Sequence, residues 1–293
     1  MPETFHYGGQ AVIEGVMIRG QKNIAMAVHR PSGELSLIIK PLAAAYTGKI
    51  RKIPLVRGVV IPLETLVLGI QTLLYSANIS LEEEKQEISP LTLWMLIAVS
   101  LTFAVALFFL GPLFLVRFID PYLASPLLSN IVEGVIRIAI FVLYLGVISL
   151  IPEIRRVFAY HGAEHKVVNA YEDGAPLELE AIRKYSTAHI RCGTSFLLVV
   201  LIIAIIVFAL LGHPTLWLRI LSRIILVPVI AALSYELIHF SAAHADNRLI
   251  RYLLAPGLIL QAMTTRKPSD IQLKAAISAL RGVIEADQLQ EDG

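Results

Sequence analysis

Four long apolar runs dominate the chain. Leu91 to Val116 carries no charge, and Thr194 to Leu211 is nearly all Leu, Ile and Val. Ile131 to Ile151 carries Glu133 and Arg137 near its start, one helical turn apart, where they can pair and reach the interface. Leu216 to Phe240 carries Arg219 and Arg223 near one end and Glu236 and His239 near the other. A bilayer core of about 30 Å is crossed by about 20 apolar helical residues, so each run predicts a transmembrane helix. A fifth stretch, Ile53 to Tyr75, is apolar but interrupted by Pro54, Arg57, Pro62 and Glu64. Trp94, Trp217 and Tyr122 lie at or just outside run ends, where interfacial aromatics belong.

Elsewhere the period changes. Residues 10 to 40 read as strands: Ala11 to Ile18, Asn23 to His29 and Glu34 to Ile39, with turns at Gly20-Gln21-Lys22 and Pro31-Ser32-Gly33. Such a meander is too short to form its own core, so it is expected to pack on membrane-proximal helices. The stretch 246–261 is partly apolar and is expected to break at Pro256-Gly257. A last helix follows, with capping-box spacing at Ser269 and Gln272 and an apolar stripe of Leu273, Ile277, Leu280 and Ile284.

Composition agrees with the pattern. The 293 residues are 56% hydrophobic and only 16% charged, with mean hydropathy +0.69. That is too little charge to cover a soluble domain and too much apolar content for disorder. Net charge is +2, so no strongly basic field for nucleic acid is evident; the lipid bilayer is the partner the sequence names, and it specifies no protein partner or oligomeric state. One cysteine excludes an intramolecular disulfide. The N-terminus MPETFHYGGQ lacks the apolar core of a cleaved signal peptide.

The positions of Lys and Arg orient the chain. Nine precede Leu91, one lies in 117–130, six in 152–193, none in 212–215 and six after Phe240. This alternation predicts four spans with both termini in the cytoplasm, and makes 53–75 an interfacial or re-entrant helix. The expectation is therefore a mainly α, polytopic membrane protein with about four transmembrane helices, a small N-terminal cytoplasmic β-meander and membrane-proximal helices. Its segments are a β-rich part (1–52), the interfacial helix and acidic linker with Glu82-Glu83-Glu84 and Glu87 (53–90), two helix pairs (91–151 and 194–240), the cytoplasmic loop between them (152–193) and a cytoplasmic tail (241–293).

That loop contains the strongest chemical signal, His161-Gly162-Ala163-Glu164-His165. On a helix the two histidines share a face one turn apart and can ligate one Zn²⁺, with Glu164 as general base; inverted zinc peptidases use this H-x-x-E-H form. Gly162 weakens the helical reading. His189 and Cys192 precede the third span, and Glu236 and His239 lie at i, i+3 near the end of the fourth. All reach one membrane face, so Glu236, His189 or Cys192 could complete the metal shell; zinc or another divalent transition metal suits these donors. The same residues could instead form a polar network, with Glu236 paired to Arg183, Lys184 or Arg191. Gly8-Gly9-Gln10 matches no phosphate loop and reads as a backbone bend before a strand, while Glu14 and Arg19 could join the histidine region.

Four blocks occur in order: Gly8-Gly-Gln-Ala-Val-Ile-Glu-Gly-Val-Met-Ile-Arg-Gly20, His161-Gly-Ala-Glu-His-Lys166, Arg191-Cys-Gly-Thr-Ser-Phe196, and Pro256-Gly-Leu-Ile-Leu-Gln261 with Thr264-Thr265. Together they resemble the bacterial YqhQ-like membrane protein family over nearly the whole chain. The resemblance implies a multi-pass protein of the bacterial cytoplasmic membrane, in a family often labelled a metal-dependent enzyme, and names no substrate. Three classes of function stay open: a metal-dependent hydrolase at the cytoplasmic face, a non-catalytic scaffold or assembly protein, and, disfavoured by short loops and the lack of an inverted repeat, a transporter.

Overall fold

The computed structural model describes residues 6–43, 48, 51, 53–81, 89–123, 125–212, 215–244 and 247–289. The acidic run at 82–87 and the side chains of Arg219 and Arg223 lie outside them.

The N-terminal part is a four-stranded antiparallel sheet in sequence order, β1 (Gly8–Val12), β2 (Gly15–Arg19), β3 (Asn23–His29) and β4 (Leu35–Pro41). The run expected as one strand, Ala11 to Ile18, is two strands folded back at Ile13-Glu14, with Glu14 at φ 54°. A β-rich run of this kind shows no periodicity break at a two-residue hairpin, which is why the turn was not evident. The turn at Pro31-Ser32-Gly33 forms as expected, with Gly33 at φ 85°.

Alternation gives this sheet two apolar faces. Val16, Ile18, Ala25 and Ala27 point to one side, where they meet Ala163 and Val167 of α5 (Pro152–Glu172) and Leu273, Ala276, Leu280 and Val283 of α10 (Asp270–Leu289). Val12, Met17, Ile24, Met26 and Val28 point to the other, against Tyr75 and Ile79 of α1 (Arg57–Ser80). The C-terminal stripe therefore docks on the protein's own sheet. Its start carries the expected reciprocal cap: Ser269 N–H donates to Gln272 Oε1 (2.8 Å) and Gln272 N–H to Ser269 Oγ (3.5 Å). Its end is tied to the β2–β3 turn, where the Asp287 carboxylate accepts from the Gln21 N–H (2.6 Å), the Lys22 N–H (3.0 Å) and Asn23 Nδ2 (2.9 Å).

The rest is helical: α2 (Pro90–Val105), a π-helical turn (Ala106–Leu110), α3 (Gly111–Ile119), α4 (Pro126–Ile148), the short α6 (Leu179–Ile182), α7 (Gly193–Leu210), α8 (Leu216–Ala243) and α9 (Arg248–Thr264). Among the described residues, five helices are long and apolar enough to cross a membrane: Arg57–Ser80, Leu91–Tyr122, Pro126–Ile148, Gly193–Leu210 and Ile220–Ala243. The additional one relative to the sequence expectation is α1. It runs unbroken through Pro62, and α9 likewise runs through Pro256 rather than breaking there.

Glu133 and Arg137 pair as expected (2.6 Å), and both are buried between helices. Residue 112, four positions after Phe108 of the π-helical turn, is a proline with no N–H to donate, so the Phe108 carbonyl lacks its regular helical partner and accepts from Arg137 Nε (3.0 Å).

Candidate metal centre

Helix α5 carries His161, Glu164 and His165 in its central turns. Gly162, unfavourable in a helix by propensity, is required by packing: a Cβ there would lie 2.2 Å from the Arg266 carbonyl oxygen, where the α9–α10 connection crosses α5. The same crossing delivers the Arg266 N–H to the Phe158 carbonyl (2.9 Å).

The ring nitrogens have defined roles. His161 Nδ1 lies 2.8 Å from the Thr264 carbonyl oxygen and His165 Nδ1 lies 2.6 Å from that of Thr187. A carbonyl only accepts, so each Nδ1 carries a proton, and in the neutral tautomer that this fixes Nε2 is the nitrogen with the lone pair. Metal-binding histidines are oriented in this way. Cys192, at the N-cap of α7, brings Sγ to 3.4 Å from His161 Nε2, and the Thr194 N–H donates to the same sulfur (3.4 Å). One donor atom from each of His161, His165 and Cys192 falls within 4.8 Å of the others. Tetrahedral zinc with Zn–N about 2.0–2.1 Å and Zn–S about 2.3 Å separates an N and an S donor by about 3.5 Å, which the 3.4 Å His161–Cys192 separation matches, with the His165 donor within 4.8 Å of both.

The surroundings are polar and enclosed. Glu164 is buried, with Oε2 3.6 Å from His165 Nε2. His189 stacks at a tilt beside His165, with centroids 5.5 Å apart, and Nε2 lies 3.5 Å from Glu172 Oε2. Burial pushes the His189 imidazole below its ordinary pKa and His161 adds to this, while Glu164 opposes it. Arg191 binds the other oxygen of Glu172. Gln261 of α9, fully buried, grips the His189 peptide from both sides: Oε1 accepts its N–H (2.9 Å) and Nε2 donates to its carbonyl (2.8 Å) and to Ser195 Oγ (2.6 Å). Lys166 Nζ donates to the Arg183 and Tyr185 carbonyls; burial, with Lys267 nearby, lowers its pKa.

Other candidates are engaged elsewhere. Both carboxylate oxygens of Glu236 bind Arg57 (2.8 and 2.6 Å), and the Leu55 N–H donates to it (2.9 Å), so α8 is joined to α1 rather than to the histidines. None of the three basic partners considered for it is used; Arg183 binds Asp270 and Glu180. His239 packs against the Tyr235 ring. Glu14 pairs with Arg156, and Arg19 with the buried Glu64 (2.9 Å). Gly9 is not a bend. It sits within β1 opposite Ile18, and a Cβ there would meet the Met17 carbonyl at 2.3 Å and Glu164 Cγ at 3.1 Å, so it walls the carboxylate.

The orienting groups of the centre were not evident as such in the sequence. Thr187 and Thr264 act through backbone carbonyls, which every residue type possesses. Gln261 had a signal, its place in the Pro256–Gln261 block, but no local reason for a role.

A model described as "Protein of unknown function (DUF1385)" matches residues 53–286. The chain is 33% identical over 301 aligned positions to "Uncharacterized protein YqhQ" of Bacillus subtilis (strain 168), covering 97% of this chain and 94% of that one. No solved structure matches the chain. The chain therefore belongs to the DUF1385 family, alongside YqhQ.

Proposed function

We propose that this chain is a four-span membrane protein with a zinc-type centre at its cytoplasmic face, and that it works as a metal-dependent hydrolase. The observation that carries the reading is the convergence of His161, His165 and Cys192 with both imidazole Nδ1 atoms already committed to carbonyls. Three protein donors leave a fourth position open, the usual arrangement of a catalytic zinc. An ion held there would supply Lewis-acid polarisation and a more acidic water. Glu164, buried against His165, is the residue to take the proton; His189, held neutral, is placed to donate a hydrogen bond or receive a proton beside it.

A parity argument supports the membrane arrangement. Sheet strands β2 and β3, before every apolar helix, pack on α10, after them all. The chain therefore crosses the membrane an even number of times between them. Helix α5 packs on the same sheet, so an even number of α1, α2–α3 and α4 cross before it. Helix α1 is the one that fits poorly: it lies along the sheet through Arg19–Glu64, Gln10 Nε2 to the Gly69 carbonyl (3.1 Å) and Ile13 N–H to Ser76 Oγ (3.1 Å), and it buries Glu64. The excess of Lys and Arg before the first span, in the α5 loop and in the tail supports a cytoplasmic position for that side.

A second reading rests on the 3.4 Å contact of Cys192 Sγ with His161 Nε2, which also suits a cysteine nucleophile served by an imidazole base. Metal analysis of protein purified in mild detergent separates the two. About one zinc per chain, lost in His161→Ala, His165→Ala and Cys192→Ser, is expected for the metal centre. A metal-free wild type whose Cys192 is alkylated quickly, and slowly in His161→Ala, would select the nucleophile. Neither result would leave a structural polar cluster in a scaffold.

A further inference from the structure

Helix α9 forms one wall of the candidate centre, because Thr264 orients His161 and Gln261 grips His189. Its buried stripe meets span ends. Leu260 packs with Leu145 of α4 and Leu198 of α7, Gly257 closes on Ser195, and Met263 reaches Gly146. These positions are the last turns of α4 and the first turns of α7, so α9 lies across the mouths of two apolar helices rather than alongside their length. The opposite face is unusual for a helix in water: Leu249 (68%), Tyr252 (78%), Leu253 (69%) and Ile259 (72%) are exposed. Arg248 and Arg251 stand in its first two turns, next to that face.

We infer that α9 is an in-plane membrane helix whose outer face is covered by anionic phospholipid, with Leu249, Tyr252, Leu253 and Ile259 among the upper acyl chains and Arg248 and Arg251 at the phosphates. Three features select lipid as the occupant. The helix packs on α4 and α7, whose neighbouring turns also expose apolar side chains such as Val147 and Leu197; the face carries an aromatic of the interfacial type, and the charges of α9 are basic and lie at one end. A helix of this kind sinks about 5–10 Å into the headgroup and acyl boundary. The centre that it walls then lies at headgroup level. On the hydrolase reading given above, on which this clause rests, the fitting substrate class is a phospholipid.

The test uses full-length protein in lipid vesicles. In a Trp94→Phe, Trp217→Phe background, Tyr252→Trp or Ile259→Trp gives a single reporter on the face. Lipids brominated close to the glycerol should remove about half of its emission, and lipids brominated near the chain ends should remove less. Arg248→Gln should lower the preference for spin-labelled phosphatidylglycerol over phosphatidylcholine by about fivefold. No quenching from either lipid, stronger quenching from deep bromines, or an unchanged lipid preference would overturn the proposal. Metal content, measured on the same samples, tests the centre separately. Labelled phosphatidylglycerol should be cleaved by wild type and spared by Glu164→Gln. A zinc-loaded, quenched protein that cleaves no phospholipid would overturn the substrate class alone.

Discussion

Gln261 shows how much one side chain can organise. Its amide uses both ends on the His189 peptide and Ser195, and so fixes the loop that supplies Thr187 to His165 and Cys192 to the centre. Replacing it with Leu takes the acceptor from the buried His189 N–H and one of two donors from the His189 carbonyl, which keeps the Cys192 N–H (3.4 Å), and so loosens that loop. For the metal centre proposed above, the expected outcome is a zinc affinity about 10–100-fold weaker, read by competition with a chromophoric chelator. Cobalt-substituted Gln261→Leu should also show an altered thiolate charge-transfer band, which a simple loss of stability would not produce. Gly162→Ala is a second case. Its new Cβ collides with a backbone oxygen that belongs to another segment, so α5 and the α9–α10 connection must separate. A fall in stability of about 1–3 kcal/mol is expected from thermal unfolding in detergent. From sequence, Gly162 counted against a helix; in the fold it is what lets the metal-motif helix pass beneath a neighbouring strand of chain.

At the scale of elements, α10 was the most legible. Its stripe has a 3.6 period and its cap is a local pair of residues, so both could be read without knowing the partner. The partner itself is set by Ala25 and Ala27, small residues that let α10 approach the sheet, and by Asp287, which binds the β2–β3 turn. Leu280→Ala should cost about 2–5 kcal/mol because Leu280 is fully buried, and Asp287→Ala about 3 kcal/mol through the loss of its three donors. The π-helical turn before α3 lies at the other extreme. Ala106 to Leu110 is an ordinary apolar run; Pro112 just beyond it removes the N–H that the Phe108 carbonyl would accept, and Arg137 on a different helix takes that place. The proline marks a disturbed turn in the sequence, but the group that takes the freed carbonyl is on another helix.

Across the whole molecule, the two ends of the chain meet. The sheet lies between α1 on one face and α5 with α10 on the other, and so joins residues before, between and after the apolar helices. Single cysteines placed at exposed Ser32 and Lys274 in a Cys192→Ser background should react alike, from the cytoplasmic side only, with a membrane-impermeant reagent. Labelling of one of them from outside intact cells would break the parity argument and restore α1 as a fifth span.

The sequence by itself determined the apolar helices, the meander, the final amphipathic helix and the two-histidine motif, because each depends on periodicity or on spacing within one element. It also marked His189 and Cys192 as neighbours of the motif by their place before α7. Only the tertiary structure decided that Cys192 approaches His161 while Glu236 turns to Arg57, since partner choice depends on which helices pack together. It alone decided the orientation of the imidazoles, because carbonyls hold them. And it alone joined the sheet to α10, a contact that turns a count of hydrophobic runs into a constraint on how often the chain can cross the membrane.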